Sequence, residues 1–291
     1  MYSNMKGFVV VTGASSGIGY DTTRYLIEND YHVFGSVRNE KDAQKLLKDF
    51  GNKVIPLVFD VTDKNAIKIA KEKVETRLGN ELLIALVNNA GIAVSGPLQF
   101  VEIADVRYQL EVNVIGTLMV SQAFLPLLGA KQPVHTNPGK IINISSISGI
   151  FSTPFMGPYC MSKYAVESMS DIFRRELSLY SIDVVVIEPG PIATPIWEKA
   201  KADSSQSSFL NTIYEPILNS RNEIINQNEK NALPVSSVSE LILRSIEKKY
   251  PATRTIITKK SWLVKIIKLL PDRLVDNLIT KNIRKGKLVG R

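Results

Sequence analysis

The chain has 291 residues, of which 44% are hydrophobic and 22% are charged. This composition is typical of a globular protein that can bury a sizeable core in one large domain or two small ones. The formal net charge is +8. Residues 258–291 contain ten basic and two acidic residues, so the preceding residues carry equal numbers of each sign. A neutral main body argues against a nucleic-acid-binding protein.

Cysteine and histidine usage limits the chemistry further. The single cysteine, Cys160, excludes an intramolecular disulfide, and such usage is typical of a reducing compartment. Two histidines without a Cys/His cluster give no expectation of a metal site. Residues 1–6 are polar and lead into a predicted strand, so we expect no secretory signal. We also expect no membrane span, since no apolar run is long enough, and we predict a cytoplasmic protein.

The first predicted elements form a strand, a glycine-rich loop and a helix. Residues 8–12 are a continuous apolar, β-branched run, as in a strand buried on both faces, and residues 22–29 have a helical pattern. Glycines let a backbone approach a phosphate closely, and a helix N-terminus attracts its charge. We therefore favour a dinucleotide phosphate site over a tight turn without a ligand. Its candidate residues are Gly13, Ser15, Ser16, Gly17, Ile18 and Gly19.

The second predicted strand, residues 32–36, bears on the choice of cofactor. An acidic residue at the end of this strand would bind ribose hydroxyls, whereas an arginine accommodates a 2′-phosphate. Arg38 occupies this region, and the nearest acid, Glu40, is expected on a helix surface. We predict NADP(H) in preference to NAD(H), with an idle surface arginine as the alternative.

Strands and helices continue to alternate. Strands are predicted at 54–59 and 82–87, and helices at 41–49 and 63–77. This alternation implies a parallel sheet covered by helices on both faces. Ligands bind beyond the carboxyl ends of such strands. The candidate cofactor-binding residues at these ends are Asp60, Val61, Asn89, Ala90 and Gly91.

A candidate catalytic pair lies on a later helix. After a predicted helix at 102–128 and a strand at 140–144, Tyr159 opens a helical pattern that runs to about residue 180. Tyr159 and Lys163 share one helix face, and an ammonium beside a phenol lowers the pKa of the phenol. Ser146 would offer a hydroxyl to a substrate oxygen. Together they suit proton transfer to or from a carbonyl or alcohol. Taken alone, such a pair is more often just a surface contact.

In order and spacing, these motifs resemble a classical short-chain dehydrogenase/reductase over about residues 6–258. The motifs are Thr12-Gly13-(x)3-Gly17-Ile18-Gly19, Asp60-Val61, Asn88-Asn89-Ala90-Gly91, Ser146, Tyr159-(x)3-Lys163 and Pro189-Gly190. The resemblance implies an α/β fold with a Rossmann-like, doubly wound sheet of seven parallel strands. It also implies a single catalytic domain at 1–258 and a homodimer or homotetramer formed through the helices at 102–128 and 158–180.

The resemblance also assigns roles to individual residues. NADPH would deliver hydride to a carbonyl carbon while Tyr159 protonates the oxygen and Ser146 orients it. Lys163 would hold the nicotinamide ribose and lower the pKa of Tyr159. Asn113 corresponds to the family's catalytic asparagine and would position a water that feeds protons to Lys163, although an asparagine within a helix is usually solvated or bonded to its own backbone. The residues expected to flank the nicotinamide are Pro189, Gly190, Ile192 and Thr194.

The substrate side is less defined by sequence. A strand is predicted at 183–188, and about 191–233 follows as a candidate substrate lid without an obvious strand. Its apolar residues indicate a hydrophobic pocket, with ordinary core packing as an equal alternative. These residues, with three from earlier loops, are Ile196, Trp197, Phe209, Leu210, Ile213, Tyr214, Val94, Phe155 and Met156. A helix at 235–248 and a strand at 255–258 complete the domain.

Residues 259–291 form a predicted pair of basic amphipathic helices. Such helices suit an anionic membrane surface, and they also suit packing on the protein body or on a second subunit. The tail is similar to those of family members that act on steroids, retinoids and other lipids, which implies a hydrophobic alcohol or carbonyl substrate. Two other hypotheses are a dinucleotide-binding regulator without catalysis and a membrane-recruited partner protein.

Overall fold

The computed structural model describes residues 5–194, 212–215, 226 and 229–283. Its strands form one parallel sheet of seven, in the order β3-β2-β1-β4-β5-β6-β7. The strands are β1 (Gly7–Val11), β2 (Tyr31–Val37), β3 (Val54–Val58), β4 (Ala85–Asn88), β5 (Lys140–Ile144), β6 (Val184–Pro189) and β7 (Arg254–Ile257). The predicted doubly wound, Rossmann-like fold is confirmed.

Helices cover both faces of the sheet. The α-helices are α1 (Gly17–Glu28), α2 (Glu40–Phe50), α3 (Lys64–Leu78), α4 (Ile103–Leu110), α5 (Thr117–Phe124), α6 (Gly157–Glu176), α7 (Ser236–Glu247), α8 (Ser261–Ile267) and α9 (Asp272–Ile283). Helices α1, α2 and α7 pack on one face, and α3, α5 and α6 pack on the other. The prediction that the first helix starts at residue 22 is wrong, because its first turn is built from the end of the glycine loop.

The central strand shows why its sequence is apolar throughout. In β1, Phe8 and Val10 join the core on one face, while Val9 and Val11 join the core on the other. A strand covered on both faces has no solvated side, so its apolar residues are consecutive instead of alternating.

The helix predicted at 102–128 is interrupted. A π-helical segment, Glu111–Gly116, separates α4 from α5, and a short 3₁₀ turn, Leu125–Leu128, ends the run. Gly116 lies tightly against the end of the third strand, since a methyl group there would lie 2.8 Å from Val61 Cγ2. The expectation that no segment could span a membrane is also corrected: Ile103–Leu128 is long and apolar enough. Its residues Val120 and Phe124, however, are fully buried in the core beneath the sheet.

Candidate active site

The glycine loop is fixed to the end of the fourth strand. Thr12 Oγ1 accepts hydrogen bonds from the backbone N–H groups of Asn89 and Ala90 at 2.9 and 3.0 Å. The Asn89 side chain donates in return to Thr12 O at 2.9 Å. A methyl group on Gly19 would lie 2.3 Å from Gly13 O, and Gly13 itself has a φ of +67°. Glycine is therefore required at both positions by packing and by backbone conformation.

The first turn of α1 fits a phosphate group. The helix begins at Gly17, its N-cap Ser16 makes no side-chain capping bond, and its first turn holds no acidic residue. The first N–H groups of a helix lack partners within the helix and attract anions. Thr194, from the segment after β6, lies beside Gly17, 3.4 Å from where a β-carbon would stand. The predicted nicotinamide loop and the predicted phosphate loop therefore meet at one edge of the sheet.

The other predicted cofactor residues lie along the same edge. Arg38 is exposed directly after β2. Asp60 Oδ1 accepts hydrogen bonds from Thr62 N and Oγ1 at 2.9 and 2.7 Å, which stabilises the turn after β3. Gly190 lies against Thr258, whose Oγ1 is 2.6 Å from the position of a β-carbon. Ile192 is buried and forms an isolated β-bridge with Leu233.

The three candidate catalytic side chains come together between β5 and α6. Ser146 follows β5 and caps a short 3₁₀ turn, with its Oγ accepting from Ser148 N at 3.1 Å. The Ser146 hydroxyl also donates to Pro189 O at 3.4 Å, and it lies close enough to the phenol of Tyr159 to lower the pKa of that group. Lys163 Nζ lies 5.7 Å from the centre of the Tyr159 ring and donates to Ile144 O at 2.8 Å.

The pKa values of Tyr159 and Lys163 are shifted mainly by burial. Burial raises the pKa of Tyr159 above its ordinary value, and this effect outweighs the hydrogen bond from Ser146. Burial also lowers the pKa of Lys163 to about 8, against the opposing influence of Glu167. The net direction of the Tyr159 pKa is therefore opposite to the predicted lowering, because desolvation is the largest influence. The effect of Lys163 on this pKa stays a prediction. A phenol that keeps its proton at neutral pH can act as an acid towards a carbonyl oxygen.

Asn113 lies in the π-helical segment and is 2% exposed. Its Oδ1 accepts from Ile92 N at 2.9 Å, and its Nδ2 donates to Ile92 O and Ser162 Oγ, both at 3.0 Å. The side chain is thus neither solvated nor bonded to its own helix. π-Helical turns are frequent at functional sites because they redirect side chains in this way.

Sequence reasoning missed Gln109 and Ser162. Gln109 is fully buried, accepts from Val94 N at 2.6 Å and donates to Ile92 O at 2.9 Å. Ser162 Oγ donates to Tyr159 O at 2.7 Å. Together with Asn113 these side chains connect the loop after β4 to the helix that carries Tyr159. The available signal was two polar side chains four residues apart, Gln109 and Asn113, within an otherwise apolar stripe.

Aromatic side chains gather near the expected substrate side. The Tyr214 ring packs edge-on against Phe155 and Phe100, with centroid distances of 5.6 and 6.0 Å. Phe155 has a left-handed φ of +66°, and its carbonyl accepts from Gly96 N at 2.7 Å. Most of the candidate lid, including Ile196, Trp197, Phe209 and Leu210, lies outside the described residues. Within the described ranges no three His, Cys, Asp or Glu side chains cluster as a metal ion would need.

Comparison with known proteins agrees with this geometry. The family model for the short chain dehydrogenases matches residues 7–205. The chain is a short-chain dehydrogenase. The predicted family membership is confirmed, and with it the expectation of an oxidoreductase that acts on alcohols and carbonyls.

Two curated relatives cover nearly the whole dehydrogenase. The NADPH-dependent 3-dehydrocapnine reductase of Ornithobacterium rhinotracheale is 40% identical over 96% of this chain and 98% of its own. Retinol dehydrogenase 16 of Mus musculus is 33% identical over 94% of this chain and 87% of its own. Among solved structures, serine dehydrogenase complexed with NADP+ has a TM-score of 0.69 at 25% identity, covering 86% of this chain and 94% of its own.

Proposed function

We propose that this dehydrogenase is an NADP(H)-dependent oxidoreductase that interconverts a hydrophobic alcohol and its carbonyl compound. The observation that carries the proposal is that Ser146, Tyr159 and Lys163 gather at the sheet edge that also bears the glycine loop. The NADPH dependence of the Ornithobacterium relative and the exposed Arg38 after β2 both support NADP(H). A non-catalytic regulator would not need a complete set of proton-transfer groups.

Each protein group then has a defined task in carbonyl reduction. When bound, NADPH would supply the hydride. Ser146 Oγ donates a hydrogen bond that fixes the carbonyl oxygen, and the protonated Tyr159 gives its proton to that oxygen. The ammonium of Lys163 would hold the nicotinamide ribose. Asn113 holds the Ile92 peptide, and the second lone pair of its Oδ1 can accept from a water that passes protons to Lys163.

The test uses two tyrosines on the same helix. Purified wild-type enzyme is assayed for NADPH oxidation against a panel of apolar ketones and aldehydes. Tyr159→Phe should lower kcat by about 10²- to 10⁴-fold, the range that general acid catalysis contributes. Tyr164→Phe is the matched control, because Tyr164 is exposed on the outer side of α6. Tight cofactor binding without turnover on any substrate would favour the regulator instead.

A lipid-like substrate is the proposed class. The Tyr214 ring packs against Phe100 and Phe155, and Phe155 lies four residues before Tyr159 in the chain. The named substrate of one relative is retinol. In a series of ketones with increasing alkyl chain length, kcat/KM should rise with each added methylene until the pocket is filled, since each buried CH₂ contributes about 0.8 kcal/mol. Phe155→Ala should flatten this rise. A preference for short polar ketones would contradict the assignment.

The C-terminal segment is proposed to contact a membrane surface from the cytoplasmic side. Trp262 and Leu269 are 61% and 84% exposed, and the lysines beside them, Lys259, Lys260, Lys265 and Lys268, are also exposed. Exposed apolar side chains beside lysines suit anionic lipid. The full-length protein should co-sediment with anionic but not zwitterionic vesicles, and a chain without residues 259–291 should not. Equal behaviour of both chains would favour packing on protein.

The proposed homo-oligomer uses the outer sides of the helices at 102–128 and 158–180. Tyr108, Ile115, Met161 and Ile172 are exposed apolar side chains on these helices. Burying such side chains between two copies would stabilise a dimer. Sedimentation velocity should give a dimer or tetramer for the wild type and a smaller species for Ile172→Glu. A monomeric wild type would contradict this proposal.

A further inference from the structure

A line of charged residues continues along α6 behind the catalytic pair. Tyr159, Lys163, Glu167 and Asp171 follow one another at intervals of four, so they share one face of the helix. Lys163 and Glu167 are each 7% exposed. Burying a charged side chain costs free energy unless the charge is paired. Each of these two buried side chains is therefore expected to have a partner of opposite charge.

Arg254, on β7, is the charged partner of Glu167. Its Nε lies 2.9 Å from Glu167 Oε2, and its Nη1 lies 3.0 Å from Asp171 Oδ1. The guanidinium therefore fixes the Glu167 carboxylate in position across the sheet edge. Among the described residues, the other carboxylate oxygen, Glu167 Oε1, is buried and accepts no hydrogen bond. One of the two carboxylate oxygens is thus buried without a hydrogen-bond donor among the described residues.

Glu167 also lies directly beneath the turn that carries Ser146. A methyl group on Gly149, in that turn, would lie 3.1 Å from Glu167 Cγ and 3.0 Å from Lys163 O. Gly149 therefore lies against both the Glu167 side chain and the backbone of Lys163. A displacement of Glu167 would disturb the turn that carries Ser146.

We propose that Glu167 is a positioning residue for the reaction: fixed by Arg254, its carboxylate stands one helical turn behind Lys163 and keeps the lysine ammonium charged. The role rests on the proposed function of Lys163, whose ammonium would hold the ribose. Glu167 is the group whose charge opposes the burial effect on the pKa of Lys163. Without it, burial alone would determine the protonation of the lysine.

Other charged groups lie around Lys163 and Glu167 on three neighbouring elements. Glu188, at the end of β6, has its Oε1 3.7 Å from Arg254 Nε, and burial with the charge of Glu167 raises its pKa to about 7. Asp171 is paired with Arg174 on its own helix. Among the described residues, the titratable and charged groups around the pair are Tyr159, Cys160, Glu167, Asp171, Arg174 and Arg175 on α6, Glu188 on β6, Arg254 on β7 and Lys268 after α8. Within this set, only Glu167 acts on the pKa of Lys163 as an opposing charge.

The test measures the titration midpoint of Lys163 directly. Side-chain NMR of isotopically labelled lysine, with the Lys163 signal assigned through Lys163→Arg, follows its titration in wild type, Glu167→Gln and the conservative Glu167→Asp. The Lys163 midpoint should fall by about one pH unit in Glu167→Gln, the lower end of the effect of a neighbouring charge. In Glu167→Asp it should stay near the wild-type value. Glu176→Gln, an exposed acid at the end of the same helix, is the matched control and should change nothing.

The same variants are then assayed for turnover across pH. The alkaline limb of kcat/KM for NADPH-dependent reduction should move to lower pH in Glu167→Gln, with little change at pH 6. If kcat/KM of Glu167→Gln falls by the same factor at every pH and the Lys163 midpoint does not move, Glu167 has only a packing role. That result would overturn the proposal. Glu167→Met replaces Glu167→Gln if glutamine prevents folding at this site. Because the NMR titration needs no substrate, absence of wild-type turnover counts against the proposed function, and an unmoved lysine counts against this inference.

Discussion

Replacing the buried Glu188 by glutamine is expected to change how the stability of the protein depends on pH. Glu188 is 2% exposed at the end of β6, and its pKa is raised from 4.5 to about 7 by burial first and then by Glu167. Between these two values the folded protein holds a proton that the unfolded chain has lost. The contribution of a raised pKa is fully present below 4.5 and is lost as the pH rises through 7, so ionisation of Glu188 destabilises the fold at alkaline pH.

The magnitude follows from linkage. One pKa unit corresponds to about 1.4 kcal/mol, and between pH 5 and pH 8 a rise of this size removes about 2.5 kcal/mol of the free energy of unfolding. Glutamine cannot ionise. The stability of Glu188→Gln relative to wild type should therefore increase by about that amount over the same interval. Any constant cost of fitting the amide beside Arg254 cancels in the difference.

The assay is urea denaturation followed by circular dichroism, with wild type and variant measured in parallel at pH 5, 6, 7 and 8. Glu240→Gln is the control, because Glu240 forms an exposed ion pair with Arg244, and such pairs contribute about 0–1 kcal/mol. A Glu188→Gln difference that is the same at every pH would refute the reasoning. It would mean that Glu188 ionises in the folded protein as readily as in the unfolded chain.

Three further substitutions test the cofactor site and its support. Arg38→Asp should weaken NADPH binding at least about 10-fold while sparing NADH, because a charge-assisted contact with the 2′-phosphate contributes about 1.5–3 kcal/mol. Equal losses of NADPH and NADH affinity in fluorescence titrations would contradict NADP(H) specificity. Gly19→Ala should weaken cofactor binding by overpacking the loop. Gly51→Ala, in open space, is the control and should lower stability without changing cofactor affinity. Unchanged affinity in Gly19→Ala would refute a close approach of the cofactor to the glycine loop. Ser162→Ala should lower stability by about 1–3 kcal/mol and reduce kcat, because it leaves buried polar partners unpaired. The exposed Ser178→Ala should do neither, and equal denaturation midpoints for the two would count against the network.

The strands were predicted well because each has a simple physical signature. Residues 140–144 were predicted as a strand and form β5 with the same ends. A strand buried on both faces must be apolar along its length, so the pattern stands out locally. The start of α1 was misplaced because Gly17 and Gly19 look like loop residues in isolation. Their helical conformation depends on packing against Gly13 and the fourth strand, which the local sequence does not encode.

The charges behind the active site could not have been predicted in the same way. Arg254 and Glu167 are 87 residues apart in the chain and meet only because β7 and α6 lie beside β6. The direction of the Tyr159 pKa was also wrong, because the spacing of a phenol and an ammonium says nothing about how deeply each is buried. Sequence motifs therefore predicted which groups react, and tertiary packing determined how deeply each of them is buried.

The π-helical turn between α4 and α5 has a consequence for the tolerance of this helix to change in length. A residue advances about 100° around an α-helix, so deleting one residue between positions 111 and 116 would leave a regular helix with its two halves rotated against each other. If α5 kept Val120 and Phe124 in the core, Gln109 and Asn113 would turn away from the loop after β4. If those two side chains kept their hydrogen bonds to the loop, Val120 and Phe124 would leave the core. Length in this short stretch is therefore more constrained than composition, and a deletion there should abolish activity while helicity is preserved.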